Sequence, residues 1–263
     1  MSFLSDRRGK ALIGVIHLQP LPGAPRWGGD WEAVLRRAVA DARAYQAGGA
    51  DAVCLENFGD LPFAKAAVGP ETVACMAVAA RAVRAAIKLP LGFNVLRNDA
   101  RAALALCAAC QGSFIRVNVL IGAMLTDQGL IEGNAAEVLR YRRALCPEAK
   151  ILADVLVKHA VPLAPWPIER AALDTLARAS ADALIVTGPG TGLAADVERV
   201  KQVRAVCPQA HVLVGSGVTV ENAPAFLPHA DGFIVGTSLK VDGQVHNPVD
   251  PKRVAALREV LVL

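Results

Sequence analysis

With 263 residues, of which 54% are hydrophobic and 20% charged, the chain can bury a large core, and its length is close to that of one (β/α)8 barrel. A net charge of +4, with basic residues scattered among acidic ones, argues against nucleic acid as a partner. The N-terminal residues lack an apolar stretch of signal-peptide length, and no uninterrupted apolar segment reaches about eighteen residues. These features predict a cytoplasmic protein with at most peripheral membrane contact.

Apolar runs and helical periods alternate along the whole chain. In chain order, the predicted strands cover residues 11–17, 51–56, 90–94, 113–118, 151–154, 183–187, 211–214 and 232–235. The predicted helices run to residue 47 after a cap at Asp30, then over 70–87, 98–110, 135–145, 168–179 and 194–206, with a short helix after Thr219 and a last one from about residue 251. This alternation predicts a single TIM-barrel domain over residues 1–263. The rival, an open doubly wound sheet, usually carries Gly-x-Gly-x-x-Gly after its first strand, where this chain has His17-Leu18-Gln19.

Two short turns with glycine and hydroxyl side chains follow the last two predicted strands. In a parallel barrel the turns at this place cradle a phosphate, because bare backbone N–H groups attract the anion and glycine lets it approach the main chain. A similar glycine turn follows the sixth strand. The pattern predicts a phosphorylated small molecule as ligand. The predicted phosphate-binding residues are Gly188, Gly215, Ser216, Gly217, Gly236, Thr237 and Ser238.

Polar residues stand where the other predicted strands end, which is where barrels carry their chemistry. The strand bodies are almost wholly apolar, so this polar ring has the pattern of a ligand site at one mouth of the barrel. Asp154 is the strongest acid–base candidate, because it ends an apolar strand and Lys158 follows closely. The predicted catalytic residues are His17, Glu56, Asp154 and Lys158, and the predicted substrate-binding residues are Asn57, Asn94, Arg116, Asn118 and Thr187.

Structural alternatives remain for several of these residues. His17 also suits a buried histidine with no catalytic role, and Glu56 suits an ion pair with Arg116 that ties strand ends together. Lys158 fits a phosphate contact, a proton donor or a Schiff-base amine. The asparagines serve equally well as ligands of sugar hydroxyls and as loop-closing residues.

No cofactor is predicted. Glu56 and Asp154 would suit a magnesium ion shared with a substrate phosphate, although no ligand spacing requires one. The six cysteines include one Cys-x-x-Cys pair, Cys107 and Cys110, with no second pair or nearby histidine, which favours buried thiols over a metal site.

Two loops stand out. The loop over residues 121–133 is long for a barrel connection and has glycines near both ends, which fits a movable cover or a static Ω-loop equally well. The loop over residues 19–29 is rich in proline and contains Trp27. Trp27, Trp31 and Trp166 suit interface anchors in a homo-oligomer.

Five stretches give the chain a specific resemblance. They are GVIHLQPLPG at 14–23, ENFGD at 56–60, TDQG at 126–129, DVLVKHA at 154–160 and GTSLK at 236–240. The chain resembles the BtpA/SgcQ family from about residue 11 to its C-terminus. This resemblance implies a TIM barrel akin to ribulose-phosphate-binding enzymes, linked either to photosystem I biogenesis at the thylakoid surface or to sugar metabolism. The residues it carries over are His17, Glu56, Asn57, Asp154 and Lys158, with Gly215, Ser216, Gly236 and Thr237 in the glycine turns.

Three functions therefore compete. The first is an enzyme that acts on a phosphorylated sugar or nucleoside-like molecule by acid–base chemistry, through isomerisation, aldol cleavage or glycosidic cleavage. The second is a non-catalytic, membrane-associated factor for the assembly or stability of a complex such as photosystem I. The third is a flavin-binding barrel whose turns hold the cofactor phosphate. The polar ring favours the enzyme, because a scaffold has no need of acids, bases and cations at one mouth.

Overall fold

The computed structural model describes residue 4 and residues 9–262. Within this part of the chain there are eleven strands: β1 (Ala11–His17), β2 (Ala52–Glu56), β3 (Leu91–Asn94), β4 (Phe114–Val117), β5 (Ala123–Thr126), β6 (Gly129–Glu132), β7 (Lys150–Asp154), β8 (Ala160–Pro162), β9 (Ala183–Thr187), β10 (His211–Gly215) and β11 (Gly232–Val235). Eight of them pair in parallel in the order β1-β11-β10-β9-β7-β4-β3-β2 and close into a barrel. The predicted (β/α)8 barrel is thus confirmed.

Helices follow the barrel strands and surround them. They are α1 (Trp31–Ala47), α2 (Pro70–Ala86), α3 (Ala100–Cys110), α4 (Ala135–Leu145), α5 (Ile168–Leu173), α6 (Val197–Val206), α7 (Ala223–Phe226) and α8 (Pro251–Leu261). Aspartate or asparagine side chains cap several N-termini: Asp30 accepts a hydrogen bond from the backbone of Ala33, and Asp99 does so from Ala102. No helix in the described part of the chain is both long and apolar enough to cross a membrane.

Three local differences separate the structure from the sequence prediction. The long loop over residues 121–133 is a β-hairpin of β5 and β6, and β8 extends it into a three-stranded antiparallel sheet. Met124 and Ile131 pair across this hairpin and are buried, which stabilises a sheet where only a loop was predicted. The sixth helix begins at Val197 rather than residue 194, because Asp196 caps it. The fifth helix ends in a π-helical turn (Asp174–Arg178).

The signal-peptide prediction rests partly on residues 1–3 and 5–8, which lie outside the described residues, as does residue 263.

The two-residue period of the strands builds the barrel interior in layers. In β1, Ala11, Ile13 and Val15 point into the barrel and pack with inward residues of the other strands, such as Leu152 and Ile234. The outward residues pack beneath the helices in a second, larger core. The next inward position after each apolar layer lies at the carboxyl end of its strand. Those positions carry His17, Glu56, Asn94, Arg116, Asp154, Thr187, Gly215 and Gly236.

Gly14 is required by a close contact on the outer side of the barrel. The ring of Tyr45 from α1 lies flat against the β1 main chain, and its hydroxyl donates to the carbonyl oxygen of Val15 at 2.9 Å. A Cβ atom at Gly14 would lie 2.3 Å from that ring. A side chain at position 14 would therefore push α1 away from the barrel.

We expect Gly14→Ala to lower the free energy of unfolding by about 1–3 kcal/mol, the usual range for overpacking a core. Gly28→Ala is the matched control, because a Cβ atom there has no atom within 4 Å and the substitution only restricts the unfolded chain. Urea unfolding followed by circular dichroism measures both variants. Equal midpoints for the two variants would show that the Tyr45 contact does not constrain position 14.

Candidate functional site

A cavity of about 590 Å³ opens at the carboxyl ends of the barrel strands, a size usual for small-molecule sites. One wall is apolar and is formed by Phe58, Leu61, Phe63 and Leu96. The other wall is polar and charged. It is formed by Glu56, Asn94, Arg97, Arg116, Asn118, Asp127, Lys158, His159 and Thr191.

A smaller polar niche adjoins this cavity. The turns at residues 216–217 and 236–238 both contribute to it, together with Thr191, Gly192 and His17. Its other polar members, Glu56, Arg116 and Lys158, also line the large cavity, so niche and cavity form one continuous site. We call these two turns and Gly192 the glycine niche.

Several backbone N–H groups of the glycine niche are unpaired in the described structure. Within the described residues, the backbone N–H groups of Ser216, Gly217 and Gly236 have no hydrogen-bond acceptor. Ser216 and Gly217 have φ angles of 75° and 62°, in the left-handed region. At Gly217 a Cβ atom would lie 2.2 Å from the Leu193–Ala194 main chain, so only glycine fits there. Free amides around a small polar space suit an anion.

Arg116 lies at the centre of the barrel mouth and is almost fully buried. Its Nε and Nη2 donate to the two carboxylate oxygens of Asp154 at 3.2 and 3.1 Å, and its Nη1 lies 3.4 Å from Glu56 Oε1. Asn118 Nδ2 donates to Asp154 as well, at 2.6 Å. The predicted Glu56–Arg116 ion pair is therefore present, and Arg116 joins the ends of three strands.

This arrangement changes the interpretation of Asp154. Its side chain has no exposed surface, both of its oxygens accept hydrogen bonds, and it lines neither the cavity nor the glycine niche. A carboxylate enclosed in this way holds Arg116 in place and cannot reach a substrate proton. The structure thus differs from the expectation that Asp154 is the principal acid or base.

The site does not fit the magnesium ion considered from the sequence. Arg116 contacts both Glu56 and Asp154, so a cation already bridges the two carboxylates. Residues 4 and 9–262 contain no group of three or more His, Cys, Asp or Glu side chains placed to hold a metal.

Cys107 of the Cys-x-x-Cys pair is buried with its thiol donating to a backbone carbonyl at 3.3 Å, and burial raises the pKa of that thiol.

Two of the predicted catalytic residues, Glu56 and Lys158, do face the cavity. Desolvation raises the pKa of Glu56, and the nearby Arg116 partly opposes that rise. Desolvation, with the Arg116 charge adding to it, lowers the pKa of Lys158 to about 8. Lys158 Nζ donates to Ser216 Oγ at 3.0 Å. Both groups therefore have pKa values displaced towards neutrality, the condition that acid–base catalysis at neutral pH requires.

His17 lies beside this pair and stays uncharged. Its Nε2 is 3.8 Å from Glu56 Oε2, and its ring stacks on Phe58 with centroids 4.4 Å apart. Burial, followed by the charges of Lys240 and Lys158, lowers the pKa of His17 well below its ordinary value. Its Nδ1 is buried and has no partner in the part of the chain that the structure describes. A neutral imidazole at this place offers a hydrogen bond to a ligand in the niche.

Asn94 and Asn118 reach the cavity, whereas several other predicted residues do not. Asn57 points outward from the barrel, since it follows the inward Glu56, and it bonds Asp60 and the Leu96 main chain instead. Thr187 accepts a hydrogen bond from the Lys158 backbone at 3.1 Å and so fixes the loop that carries this lysine. Gly188 packs against Leu193, and Gly215 packs on Ile185 and Thr187. Four predicted residues therefore line neither the cavity nor the glycine niche and instead contact the segments around the site: Asn57, Thr187, Gly188 and Gly215.

Other residues of the site were not predicted from the sequence. Arg97 follows β3 and donates to the Lys158 carbonyl oxygen at 2.6 Å. Thr191 and His159 bond each other over the cavity, with the Thr191 N–H donating to His159 Nε2 at 3.1 Å. Asp127 reaches the cavity from the tip of the β5–β6 hairpin. All four lie in loops whose position depends on tertiary packing, and only Asp127 and His159 had a signal, since they fall in the stretches that resemble a family.

The closed parallel barrel, with its polar mouth at the carboxyl ends of the strands, defines a TIM-barrel protein. The chain belongs to the BtpA family, whose sequence model matches residues 8–261. It is 45% identical over 250 residues to the photosystem I biogenesis protein BtpA of Synechocystis sp., covering 95% of this chain and 87% of that protein. It is 35% identical over 266 residues to the putative sgc region protein SgcQ of Escherichia coli K12, covering 98% and 97%.

Solved structures agree on the fold. A native KDPGal structure superposes with a TM-score of 0.59 at 17% identity, covering 95% of this chain and 93% of that one. A phosphoribosyl anthranilate isomerase from Thermus thermophilus superposes with a TM-score of 0.57 at 15% identity, covering 95% and 98%. At these identities the likeness concerns the barrel alone.

The buried Arg116–Asp154 pair generates a prediction about stability. We expect Asp154→Asn to lower the free energy of unfolding by about 3 kcal/mol or more. The substitution removes the negative charge beside the buried Arg116 guanidinium and places an amide N–H group against the N–H groups of Arg116 and Asn118. The control is Glu198→Gln, which removes the acid of an exposed ion pair with Lys201 and should cost less than about 1 kcal/mol. Urea unfolding at neutral pH measures both. A loss no greater than that of the control would mean that Arg116 does not depend on Asp154.

Proposed function

We propose that this protein is an enzyme that binds a phosphorylated sugar or nucleoside-like molecule and converts it by acid–base chemistry. One observation carries the proposal: Glu56 and Lys158 line both the large cavity and the glycine niche. A ligand with its phosphate in the niche therefore has its next few atoms beside a carboxylate and an amine.

The phosphate half of the proposal rests on the glycine niche. Unpaired amides at residues 216, 217 and 236 provide donors without a side chain, and the Ser216 and Thr237 hydroxyls stand beside them. Arg116 and Lys158 add positive charge at its edge. Donors of this kind, together with nearby cations, favour a phosphate monoester over a neutral ligand.

The catalytic half rests on Glu56 and Lys158. Glu56 is held by a single long contact to Arg116 Nη1, which leaves its second oxygen directed to His17 and the site. A carboxylate with a raised pKa takes and returns protons readily near neutral pH. Lys158 carries the complementary function, and Asn94, whose Oδ1 has no partner within the described residues, remains able to accept a hydrogen bond from a ligand hydroxyl. The apolar wall at Phe58 and Phe63 would take the part of the ligand that carries no charge.

The Synechocystis relative supports a second candidate, since its name describes photosystem I biogenesis. In this candidate the chain is a non-catalytic factor that contacts a membrane complex from outside. Such a role gives no reason for two titratable groups with displaced pKa values inside a cavity. We therefore rank it second.

Phosphate binding is tested by a matched pair at Ser216, whose left-handed φ both substituents tolerate. We expect Ser216→Asn to bind inorganic phosphate within a few-fold of the unmodified protein. Ser216→Asp should weaken binding at least about tenfold, because a fixed negative charge then faces the anion. Isothermal titration calorimetry with inorganic phosphate measures both. Equal affinities for the two variants, or no phosphate binding by the unmodified protein, would refute the niche assignment.

Catalysis is tested with a panel of sugar phosphates and nucleoside phosphates, followed by phosphorus NMR. We expect turnover of at least one member, and Glu56→Gln should reduce it by about 10²–10⁴-fold, the usual contribution of a general acid or base. The control is Glu132→Gln, an exposed carboxylate on β6 outside the site. Phosphate binding should survive in both variants. If the protein binds phosphate but converts no panel member, the non-catalytic candidate gains; if Glu56→Gln turns over normally, Glu56 has no role in proton transfer.

A further inference from the structure

We propose that Lys158 forms an imine with its substrate, so that the substrate class is a phosphorylated aldehyde or ketone. The inference rests on the proposed function, since it takes the glycine niche as the phosphate site. It adds a covalent step and excludes phosphorylated substrates that have no carbonyl form.

The loop that carries Lys158 is bent and clamped. Leu156 and His159, on either side, have φ angles of 51° and 54°, a conformation that side chains larger than glycine rarely adopt. The Lys158 N–H donates to Thr187 Oγ1, and its carbonyl oxygen accepts from Arg97 Nη2. Backbone strain held in place by such contacts is typical of functional positions. Here it directs one lysine between the glycine niche and the large cavity.

The amine has a neighbour suited to a nucleophile. Its nearest polar contact is the Ser216 hydroxyl at 3.0 Å, and no carboxylate of the described residues lies within 4.0 Å of Nζ. Desolvation is the largest influence on the pKa of this amine; among the nearby charges Arg116 and Arg97 lower that pKa, whereas Glu56 and Asp154 raise it. Desolvation and nearby cations are the two means by which proteins keep a lysine amine neutral. A pKa of about 8 leaves roughly a tenth of this amine neutral at pH 7, far more than an ordinary lysine has.

The step balances within the site. The neutral Lys158 Nζ attacks the carbonyl carbon and forms the C–N bond of a carbinolamine. The C–O bond then breaks, and the oxygen leaves as water with the two protons that the amine has lost. Glu56, which lines the same cavity, is placed to relay those protons. One further proton on nitrogen gives an iminium, which withdraws electrons from the adjacent carbon. No oxidant, reductant or metal takes part.

The test uses pyridoxal 5′-phosphate, a probe that joins an aldehyde to a phosphate and whose imine absorbs visible light. The protein is treated with limiting probe at pH 7, reduced with borohydride and mapped by peptide mass spectrometry. We expect Lys158 to be labelled at least about tenfold faster than the exposed Lys65, because an ordinary lysine pKa near 10.4 leaves far less neutral amine at pH 7. Labelling of Lys158 should rise as the pH passes through its pKa of about 8 and level off above it.

Three comparisons separate the possible results. Lys158→Arg keeps the cation and should lose the visible absorption. Inorganic phosphate should protect Lys158 but not Lys65, and pyridoxal without phosphate should label Lys158 several-fold more slowly. Labelling of Lys158 without protection by phosphate would support the imine and overturn the phosphate half of the proposed function. Calorimetric phosphate binding together with an unlabelled Lys158 would overturn the imine and leave the proposed function standing.

Discussion

The guanidinium of Arg116 is the contact on which the mouth of this barrel depends. Two carboxylates lie inside the closed sheet, where an unpaired charge is costly: Glu56 ends β2 and Asp154 ends β7, with β3 and β4 between these two strands. One planar cation reaches both and takes a two-point contact with Asp154 and a single contact with Glu56. The unequal sharing encloses the carboxylate of Asp154 and leaves the carboxylate of Glu56 at the wall of the cavity. The two acids thus differ in their surroundings because they differ in their distance to one arginine.

The charge of Arg116 also affects the protonation of Lys158. Desolvation raises the pKa of Glu56 and Arg116 partly opposes that rise, whereas Arg116 adds to the desolvation that lowers the pKa of Lys158 to about 8. Thr187 and Arg97 contact the main chain of Lys158 and so fix the point from which its side chain enters the site. The result is an amine at the border between the glycine niche and the large cavity.

A two-residue period explains why much of this site was predictable. Once β1 places Ala11, Ile13 and Val15 inside, His17 must also face inward, and the same count leads to Glu56 from Ala52. The count also explains Asn57, which follows an inward residue and therefore points away from the cavity into the loop contacts with Asp60. In the sequence Asn57 and Glu56 look equivalent, because both stand at a strand end. The alternation of faces was in the sequence, but its phase became evident only with the packed barrel.

The sequence by itself determined the barrel, the ring of polar strand ends and the two glycine turns, because these follow from local periodicity and from the backbone freedom of glycine. Only the tertiary structure decided which carboxylate Arg116 encloses, since that depends on a few ångströms between strands far apart in the chain. It also decided that residues 121–133 form a hairpin, because Met124 and Ile131 are buried there in a small cluster with Val119 and Val157, which come from other segments. Contacts between distant segments, such as Arg97 with Lys158, leave no periodic trace in a single sequence, and for that reason the loop residues of the site emerged only from the folded chain.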